Sequence, residues 1–420
     1  MPLKILLISY NYAPELTGIG KYNAELCEYL AAKNYSVKVI TAYPYYPNWK
    51  VFDGYVIKGF KKEQINGVAV VRCPFYIPAN PTGTKRILQE ISFYFSTLIM
   101  VVWQIISFKS YDIIIIPSPS FMCGFHGILL KFFSPKTKFV YHIQDLQIDA
   151  AIDLNIIHQN WLKNLLITIE QFILNQATIV STISEGMQKK ILAKKTKLTD
   201  VLLFPNWVDN SKVFVTTPNL ATIASLGIPL DKKIFFYSGA IGEKQGLEII
   251  LSVAPDIAVS CPGVLFVISG SGPYKERLQT IVTEKNISNI MFIALQPINI
   301  FNQVLNYAYC NLIIQKENVG DLLLPSKLTN ILAVGGLSVV SAVPNTTLYD
   351  VISKNNMGIL ILPEDETAFK NAIIGVVLET EQTSKQVNNV KTTISENANA
   401  YALQNLKKEI IIDNFLKHIE

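Results

Sequence analysis

The sequence of 420 residues contains five cysteines, an odd number, and no two of them form a CxxC pair. This pattern argues against a disulfide framework and a zinc site, and it favours reduced, buried thiols in the cytoplasm. The sequence also lacks a DxD motif, so it offers no obvious pair of carboxylates for a magnesium ion. We therefore predict that the protein requires no metal and no cofactor.

Several motifs of nucleotide and ester chemistry are missing as well. There is no G-x-S-x-G, which argues against an α/β-hydrolase. Neither G-x-G-x-x-G nor a Walker A loop occurs, so a dinucleotide-dependent dehydrogenase is disfavoured. No internal repeat, block of like charge or low-complexity segment stands out.

Charge is sparse, at 16% of residues, and the only arginines are Arg72, Arg86 and Arg277. The net charge of +5 suits anionic small molecules or anionic lipid, but it gives no concentrated basic face, so we predict no nucleic-acid partner. With 50% hydrophobic residues and a mean hydropathy of +0.30, the chain is too mixed for a bundle of membrane spans. The N-terminus lacks the pattern of a signal peptide and is read as a buried strand.

What the chain does contain is a regular alternation of short apolar runs with helical patterns. Continuous apolar strands separated by helices indicate parallel sheets covered on both faces, and two such series predict two doubly wound α/β domains. We place them at 1–206 and 207–400, and a helix at about 398–417 lies in a C-terminal segment, 400–420, that can pack back on the first domain. The predicted strands are 4–9, 36–41, 68–72, 112–117, 138–142, 233–238, 264–269, 290–293, 311–315, 337–341 and 358–362.

Two apolar segments, 91–108 and 121–133, allow three interpretations. They are buried helices of the first domain, helices that lie in a membrane interface, or a true membrane span. A span would divide a regular series of α/β units between two compartments. Lys85, Arg86, Lys109 and Lys136 flank the two segments.

Candidate ligand-binding residues of the first domain follow its strands. Gly18 and Gly20 stand after the first strand and before a helix predicted at 21–34, where a backbone without side chains approaches a ligand closely. A plain strand-to-helix turn is the alternative. His142 ends another strand, and ligand-contacting residues of open α/β sheets lie at the carboxyl ends of strands. The alternative for His142 is a structural role.

The second domain repeats this arrangement. Gly239 and Gly242 follow a strand, and Lys244 near the next helix start is placed to pair with a diphosphate, unless it is simply a solvated surface lysine. The glycine turn at 270–272 is expected to be structural. In the segment 324–336, a helix that begins with Ser326 and Lys327 exposes free backbone N–H groups and a cation, which together suit a phosphate.

The segments NYAPELTGIGKY, YPYYPNW, HIQD, STIS, FPNW, YSGAIGEKQGLE and LPSKLTNILAVGG resemble the retaining glycosyltransferases of family 4, which have the GT-B fold of two Rossmann-like domains facing a cleft. They are most similar to the colanic-acid-type branch, which includes a fucosyltransferase. The resemblance implies a nucleotide-sugar donor held mainly by the second domain and an acceptor that approaches the first. It also implies that Lys244 binds the diphosphate and that His142 lies near the transferred sugar.

The chain departs from the family pattern at three positions. Ala240 stands where many members have arginine, while Asn330 and Leu322 replace two glutamates, one of which binds the ribose. Asn330 can still hydrogen-bond a ribose, but without the charge that strengthens such bonds. Without a metal, Lys244, Lys327 and two helix N-termini are expected to stabilise the leaving diphosphate.

The resemblance further implies retention of anomeric configuration and a polyprenyl-diphosphate-linked glycan as acceptor, at the cytoplasmic face of the cell membrane. GDP-fucose is the first candidate donor, followed by UDP-linked N-acetylated deoxysugars. The membrane surface would then be bound by the segments 91–108 and 121–133. Two alternatives stay open: a nucleotide-sugar 2-epimerase of the same fold, and a non-catalytic scaffold that binds a partner transferase.

Overall fold

The computed structural model describes residues 2–15, 18–153, 159–317, 327–381 and 385–420. Contacts divide the chain into two compact units, Met1–Pro205 with Ile412–Glu420, and Asn206–Ile411. The division lies one residue before the predicted boundary. The C-terminal segment differs more from the prediction, because residues up to Ile411 belong to the second unit and only the residues after it belong to the first.

The first unit contains one eight-stranded sheet. Its strands are β1 Lys4–Ser9, β2 Ser36–Ala42, β3 Lys61–Ile65, β4 Val68–Cys73, β5 Ile113–Ser118, β6 Lys138–Ile143, β7 Ile179–Thr182 and β8 Leu202–Leu203. Their order is β3-β4-β2-β1-β5-β6-β7-β8, and all neighbours are parallel except β3 and β4. β5 is buried at every position, as expected for a parallel sheet covered on both faces.

Six described helices lie within Met1–Pro205 of the first unit: α1 Gly18–Ala32, α2 Gly83–Ile106, α3 Gly124–Phe133, α4 Gln147–Asp153, α5 Asn160–Gln176 and α6 Glu185–Leu192. A 3₁₀ turn, Phe121–Cys123, precedes α3. Among the described helices, α2 is long and apolar enough to cross a membrane by length and composition alone. It packs against β2, β4 and α3 through one face, and this packing on a sheet argues against a span.

The second unit contains a six-stranded sheet whose neighbours are all parallel. Its strands are β9 Lys233–Ala240, β10 Val264–Ser271, β11 Ile290–Ile293, β12 Cys310–Ile313, β13 Ser338–Ser341 and β14 Ile359–Ile361, in the order β11-β10-β9-β12-β13-β14. The second unit has two hydrophobic clusters, and alternate residues of β9 pack into different ones. Phe235 and Tyr237 belong to one cluster, and Phe236 belongs to the other. Since side chains alternate along a strand, these clusters lie on opposite faces of the sheet.

Nine described helices follow in the chain: α7 Leu220–Ser225, α8 Glu248–Ser260, α9 Lys275–Glu284, α10 Ile298–Tyr307, α11 Lys327–Ala333, α12 Thr347–Asn355, α13 Glu366–Glu381, α14 Lys385–Asn405 and α15 Lys408–Ile419. The series of helices and strands in each unit confirms the prediction of two doubly wound α/β domains.

Two of the predicted helices differ from the structure. The single helix at 398–417 is wrong, because α14 ends at Asn405 and α15 begins at Lys408. Between them the backbone pairs with Val208, whose N–H bonds Leu406 O at 2.8 Å and whose carbonyl accepts from Lys408 N at 3.1 Å. The helix predicted from 21 begins three residues earlier, so Gly18 and Gly20 lie in its first turn.

Candidate functional site

The two glycines of α1 have different structural reasons to be glycine. Gly18 has φ +62°, a left-handed conformation that other residues adopt only at a cost. Gly20 has ordinary φ, but a Cβ there would lie 2.9 Å from Glu15 Oε2 and 3.3 Å from Asn11 Cβ. Contact of these glycines with the donor stays a prediction. Close packing against Glu15 is by itself a sufficient reason for a glycine at position 20.

Glu15 is a buried carboxylate that the sequence analysis did not single out. It is 2% exposed, and its Oε1 accepts the backbone N–H groups of Tyr45 at 2.9 Å and Tyr46 at 3.0 Å. Its Oε2 accepts from Asn11 Nδ2 at 2.7 Å. Burial raises the pKa of Glu15 to about 7, although these hydrogen bonds oppose the shift. The only sequence signal was a lone acidic residue between a buried strand and a glycine turn.

The loop after β2, residues 43–50, carries aromatic rings beside this carboxylate. The Tyr45 ring centroid lies 5.6 Å from that of Trp49 and 5.2 Å from that of Phe75. Tyr46 and Trp49 are partly exposed, while Tyr45 is buried. The exposed Arg86 guanidinium of α2 lies 5.1 Å from the Trp49 ring centroid. The loop therefore offers flat apolar surfaces with a cation beside them.

His142 lies in β6 and is 3% exposed. Its Nδ1 is 2.9 Å from Ser181 Oγ of β7, and its ring centroid is 5.0 Å from that of Phe204. Burial lowers the pKa of His142 to about 3, so the imidazole is neutral near pH 7. A group with this pKa is poorly matched to proton transfer at neutral pH, but it can hydrogen-bond a substrate.

In the second unit, the predicted glycine loop leaves the carboxyl end of β9. Gly239 has φ +147°, and Gly242 precedes a 3₁₀ turn, Glu243–Gln245, donating its N–H to Gln245 Oε1 at 3.0 Å. Lys244 lies in this turn and is exposed. Its carbonyl accepts from the N–H of Lys316, which follows β12, at 3.4 Å. Lys316, which was not predicted from the sequence, is a further cation beside this loop.

The segment 270–272 was predicted to form a turn, but β10 extends to Ser271, and Gly270 and Ser271 pair with Gly239 and Ala240 of β9. A Cβ on Gly270 would lie 2.1 Å from Gly239 O, and one on Gly272 would lie 2.2 Å from Ile241 O. The Ile241 N–H also bonds Ser271 O at 2.9 Å. The predicted turn is therefore wrong at Gly270 and Ser271, but the close contacts agree with the predicted structural role: the end of β10 supports the backbone that leads into the loop with Lys244.

Lys327 begins the described part of α11 and lies close to the glycine loop. Its Cδ would be 3.9 Å from a Cβ on Gly239, and its Nζ is 3.8 Å from the Tyr237 ring centroid. Among the described residues it has no carboxylate partner. Burial lowers the pKa of Lys327 to about 7, so this ammonium would gain by meeting an anion.

The remaining predicted residues are only partly described. Asn330 is half-buried in α11, and its Oδ1 is a buried acceptor with no hydrogen-bond partner among the described residues. Such an atom suits a ligand donor, since leaving it unpaired is costly. Ser326 and Leu322 lie outside the described residues. Ala240, the last residue of β9, is exposed and adds no charge.

These groups can bind a diphosphate in the second unit and a sugar in the first. Within the part of the chain that the structure describes, no three His, Cys, Asp or Glu side chains are grouped so as to hold a metal ion. The predicted independence of metals stays a prediction.

Two family profiles match the chain. "Glycosyl transferase 4-like domain" matches residues 17–207, and "Glycosyl transferases group 1" matches residues 220–393. A curated relative, "Putative colanic acid biosynthesis glycosyl transferase WcaI" of Escherichia coli strain K12, is 35% identical over 99% of this chain and all of its own length.

Solved structures share the fold at low sequence identity. Sucrose-phosphate synthase of Thermosynechococcus elongatus superposes with a TM-score of 0.75 at 17% identity, over 99% of this chain and 98% of its own. HepE of Anabaena, determined in complex with UDP, gives a TM-score of 0.67 at 15% identity, over 99% of both chains. These similarities confirm the predicted GT-B fold of two Rossmann-like domains.

Proposed function

The chain belongs to the family 4 glycosyltransferases of GT-B fold, and from that premise we propose that it moves a sugar from a nucleotide-sugar to a lipid-linked glycan in surface polysaccharide synthesis. The observation that carries this proposal is the proximity of the two segments of the second unit for which phosphate binding was predicted. Lys327 of α11 lies against Gly239, which is near the carboxyl end of β9, just before the loop that carries Lys244. Each segment alone is a weak signal, whereas together they concentrate cations and N–H donors at one edge of a sheet.

The chemistry follows from where charge develops. Breaking the anomeric C–O bond leaves negative charge on the nucleoside diphosphate and an oxocarbenium-like sugar. Lys244 and Lys327 stabilise the leaving group more than the bound donor, because its charge is greater after cleavage. Each such contact contributes about 3 kcal/mol to lowering the barrier. The lysines thus do the work that a divalent ion does in other transferases.

His142 has a different task in this proposal. As a neutral imidazole fixed by Ser181 through Nδ1, it hydrogen-bonds a hydroxyl of the transferred sugar through Nε2. It orients the sugar and does not take the acceptor proton, since its pKa is too low. The departing phosphate receives that proton on the face that the acceptor attacks, and the anomeric configuration is retained.

The donor and acceptor are proposed from the relatives. The E. coli relative is named for colanic acid biosynthesis, and HepE was determined with UDP. GDP-fucose is the first candidate donor and UDP-linked N-acetylated deoxysugars are next. The acceptor is a polyprenyl-diphosphate-linked glycan, which places the enzyme in the cytoplasm at the inner face of the cell membrane.

The amphipathic arrangement of α2 supports a membrane surface as partner. Its outward residues form a stripe at spacings of three and four: Leu88, Ile91, Phe95, Ile99, Val102 and Ile106, with Trp103 beside it. Its buried face includes Gln89, Ser96, Thr97 and Gln104. A helix of a water-facing surface has the opposite arrangement, with its polar side outward. The exposed face of α2 is therefore suited to lipid.

Two further helices extend this apolar surface. α3 exposes Phe132 and Phe133, and α5 exposes Trp161, Leu165 and Phe172. α3 packs against both α2 and α5, and the Phe125 and Phe172 ring centroids are 6.3 Å apart. The exposed cations Lys85, Arg86, Lys109 and Lys136 lie near the ends of α2 and α3. Apolar side chains bordered by cations match the interface of an anionic bilayer.

A flotation assay tests the membrane partner. Replacing four half-exposed apolar residues of α2 by Gln removes about 1 kcal/mol each, so binding to vesicles with anionic lipid should weaken about 1000-fold. The four residues are Phe95, Ile99, Trp103 and Ile106. A control replaces four comparably exposed residues of the second unit: Leu220, Leu230, Val259 and Leu378. Equal flotation of both variants and the wild type contradicts the membrane assignment.

A thermal-shift panel of GDP-, UDP-, dTDP- and ADP-sugars identifies the donor, followed by transfer to short-prenyl diphosphate-linked sugars. The proposal expects stabilisation by one nucleotide class and turnover only with acceptor present. Turnover of a UDP-sugar without acceptor would establish the 2-epimerase instead. The absence of any donor-dependent shift would establish the scaffold.

A further inference from the structure

Glu15 joins three segments of the first unit that the sequence keeps apart. It belongs to the turn after β1, its Oε1 accepts two N–H groups of the loop 43–50, and Gly20 of α1 packs on its Oε2. A Cβ on Gly18 would lie 3.7 Å from Tyr46 Cε1, so the start of α1 also borders the Tyr46 ring. One carboxylate thus holds the backbone of the loop 43–50 at Tyr45 and Tyr46.

The loop presents two partly exposed rings, Tyr46 and Trp49, whose centroids are 6.5 Å apart with an interplanar angle of 75°. Trp49 has φ +55°, which is unusual for a bulky residue and persists only when the surrounding structure holds it. The exposed face of an aromatic ring can pack against the apolar C–H face of a sugar ring, and the nearby Arg86 guanidinium can bind an anionic group. Sugar and diphosphate are the polar parts of the proposed acceptor.

We propose that Glu15 is a positioning residue for the acceptor: its carboxylate holds the backbone of Tyr45 and Tyr46 so that the Tyr46 and Trp49 rings, with Arg86, form a subsite for the sugar and diphosphate of a lipid-linked glycan. This inference rests on the proposed function for the identity of the acceptor. Glu15 itself does not touch the substrate, because it is buried beneath the loop.

The charge state of Glu15 provides a readout that a purely structural residue lacks. Arg72 of β4 is the cation that acts on it, and the phenols of Tyr45 and Tyr46 face it from the loop. Burial raises the pKa of both phenols, so they stay neutral between pH 6 and pH 8. Burial raises the pKa of Glu15 to about 7, and protonation weakens its acceptance of N–H bonds. Acceptor binding should therefore weaken as the pH falls.

Steady-state kinetics with a short-prenyl diphosphate-linked monosaccharide test the proposal. Glu15→Leu removes the acceptor of two N–H bonds and should raise the acceptor KM about tenfold, with an unchanged donor KM. Trp49→Ala should give a similar increase, and combining the two changes should add little. The control, Phe214→Ala, removes an exposed ring of the second unit and should leave both constants unchanged. An unchanged acceptor KM in Trp49→Ala overturns the proposal.

A second variant decides the matter if Glu15→Leu does not fold. Glu15→Gln keeps an oxygen for the N–H groups but cannot titrate. The acceptor KM of the wild type should rise about fivefold from pH 8 to pH 6, whereas that of Glu15→Gln stays flat. Glu90, whose pKa burial also raises to about 7, is present in both proteins and cannot cause a difference. Parallel pH profiles overturn the proposal.

Acceptor binding is also measured by calorimetry without donor. If the wild type binds the acceptor but transfers nothing, the proposed function fails while the Glu15 assignment is still decided by the variants. If the wild type transfers sugar and the variants bind acceptor normally, the Glu15 assignment alone fails. Lack of acceptor binding by the wild type overturns both.

Discussion

Donor binding should be accompanied by uptake of a proton at Lys327. Burial lowers the pKa of this lysine to about 7, and no described carboxylate offsets the lost hydration. At pH 8 a group with this pKa is about 10% protonated. A bound diphosphate restores the ammonium, so the protein should take up about 0.9 proton per donor at pH 8 and about 0.1 at pH 6.

Isothermal titration calorimetry measures this uptake directly. The observed binding enthalpy is compared in phosphate and Tris buffers, and its slope against the buffer ionisation enthalpy gives the number of protons. A nucleotide-sugar is the right probe because its diphosphate is a diester that does not titrate between pH 6 and pH 8. A nucleoside diphosphate would add its own proton exchange.

Two variants assign the proton. Lys327→Met should bind the donor more weakly and with no dependence on buffer at pH 8. Lys244→Ala should also bind more weakly but keep the uptake, because the exchanging group is Lys327. If the wild-type binding enthalpy at pH 8 is the same in both buffers, no proton is taken up. That result would refute the prediction that Lys327 gains a proton beside the bound diphosphate.

Three further predictions concern single residues. Lys244→Ala should lower kcat about 100-fold in a transfer assay, and wild-type turnover would remove Lys244 from the leaving-group site. His142→Asn keeps a partner for Ser181 but cannot gain a proton. Since the folded pKa of His142 is about 3 and the unfolded value about 6.5, the stability it contributes is lost as pH falls through this window. Between pH 7.5 and pH 5 urea unfolding should therefore show a loss in the wild type that exceeds the variant's by about 2 kcal/mol; equal losses contradict its burial as a neutral ring. Gly20→Ala should destabilise the protein by about 2 kcal/mol, because its Cβ meets Glu15, whereas the control Gly83→Ala, with nothing within 4 Å, should not.

The fold was largely predictable because parallel strands that are buried on both faces have continuous apolar sequences. β1, β5 and β9 have this pattern. β3, by contrast, is a charged strand at the edge of the sheet. Its strand conformation is evident from its antiparallel pairing with β4 and not from its sequence. The break between α14 and α15 was equally hidden, since it depends on pairing with Val208, which is remote in sequence.

The candidate site was predictable where glycine and lysine mark a strand end. Gly239 and Lys327 were found in this way, but their proximity depends on how β9 and α11 pack. Glu15 was missed because a single buried acid has no periodicity, and its role lies in hydrogen bonds to Tyr45 and Tyr46. Sequence patterns identify the backbone of a site more readily than the side chains that hold its loops.

The most direct test is transfer of a labelled sugar to a short-prenyl diphosphate-linked acceptor, with anomeric analysis of the product by NMR. Wild type and the Lys244→Ala, Lys327→Met double variant are compared with and without EDTA. The account predicts donor turnover that requires acceptor, a product with retained configuration, no loss in EDTA, and a double variant close to inactive. An inverted product, or a double variant as active as the wild type, would contradict it.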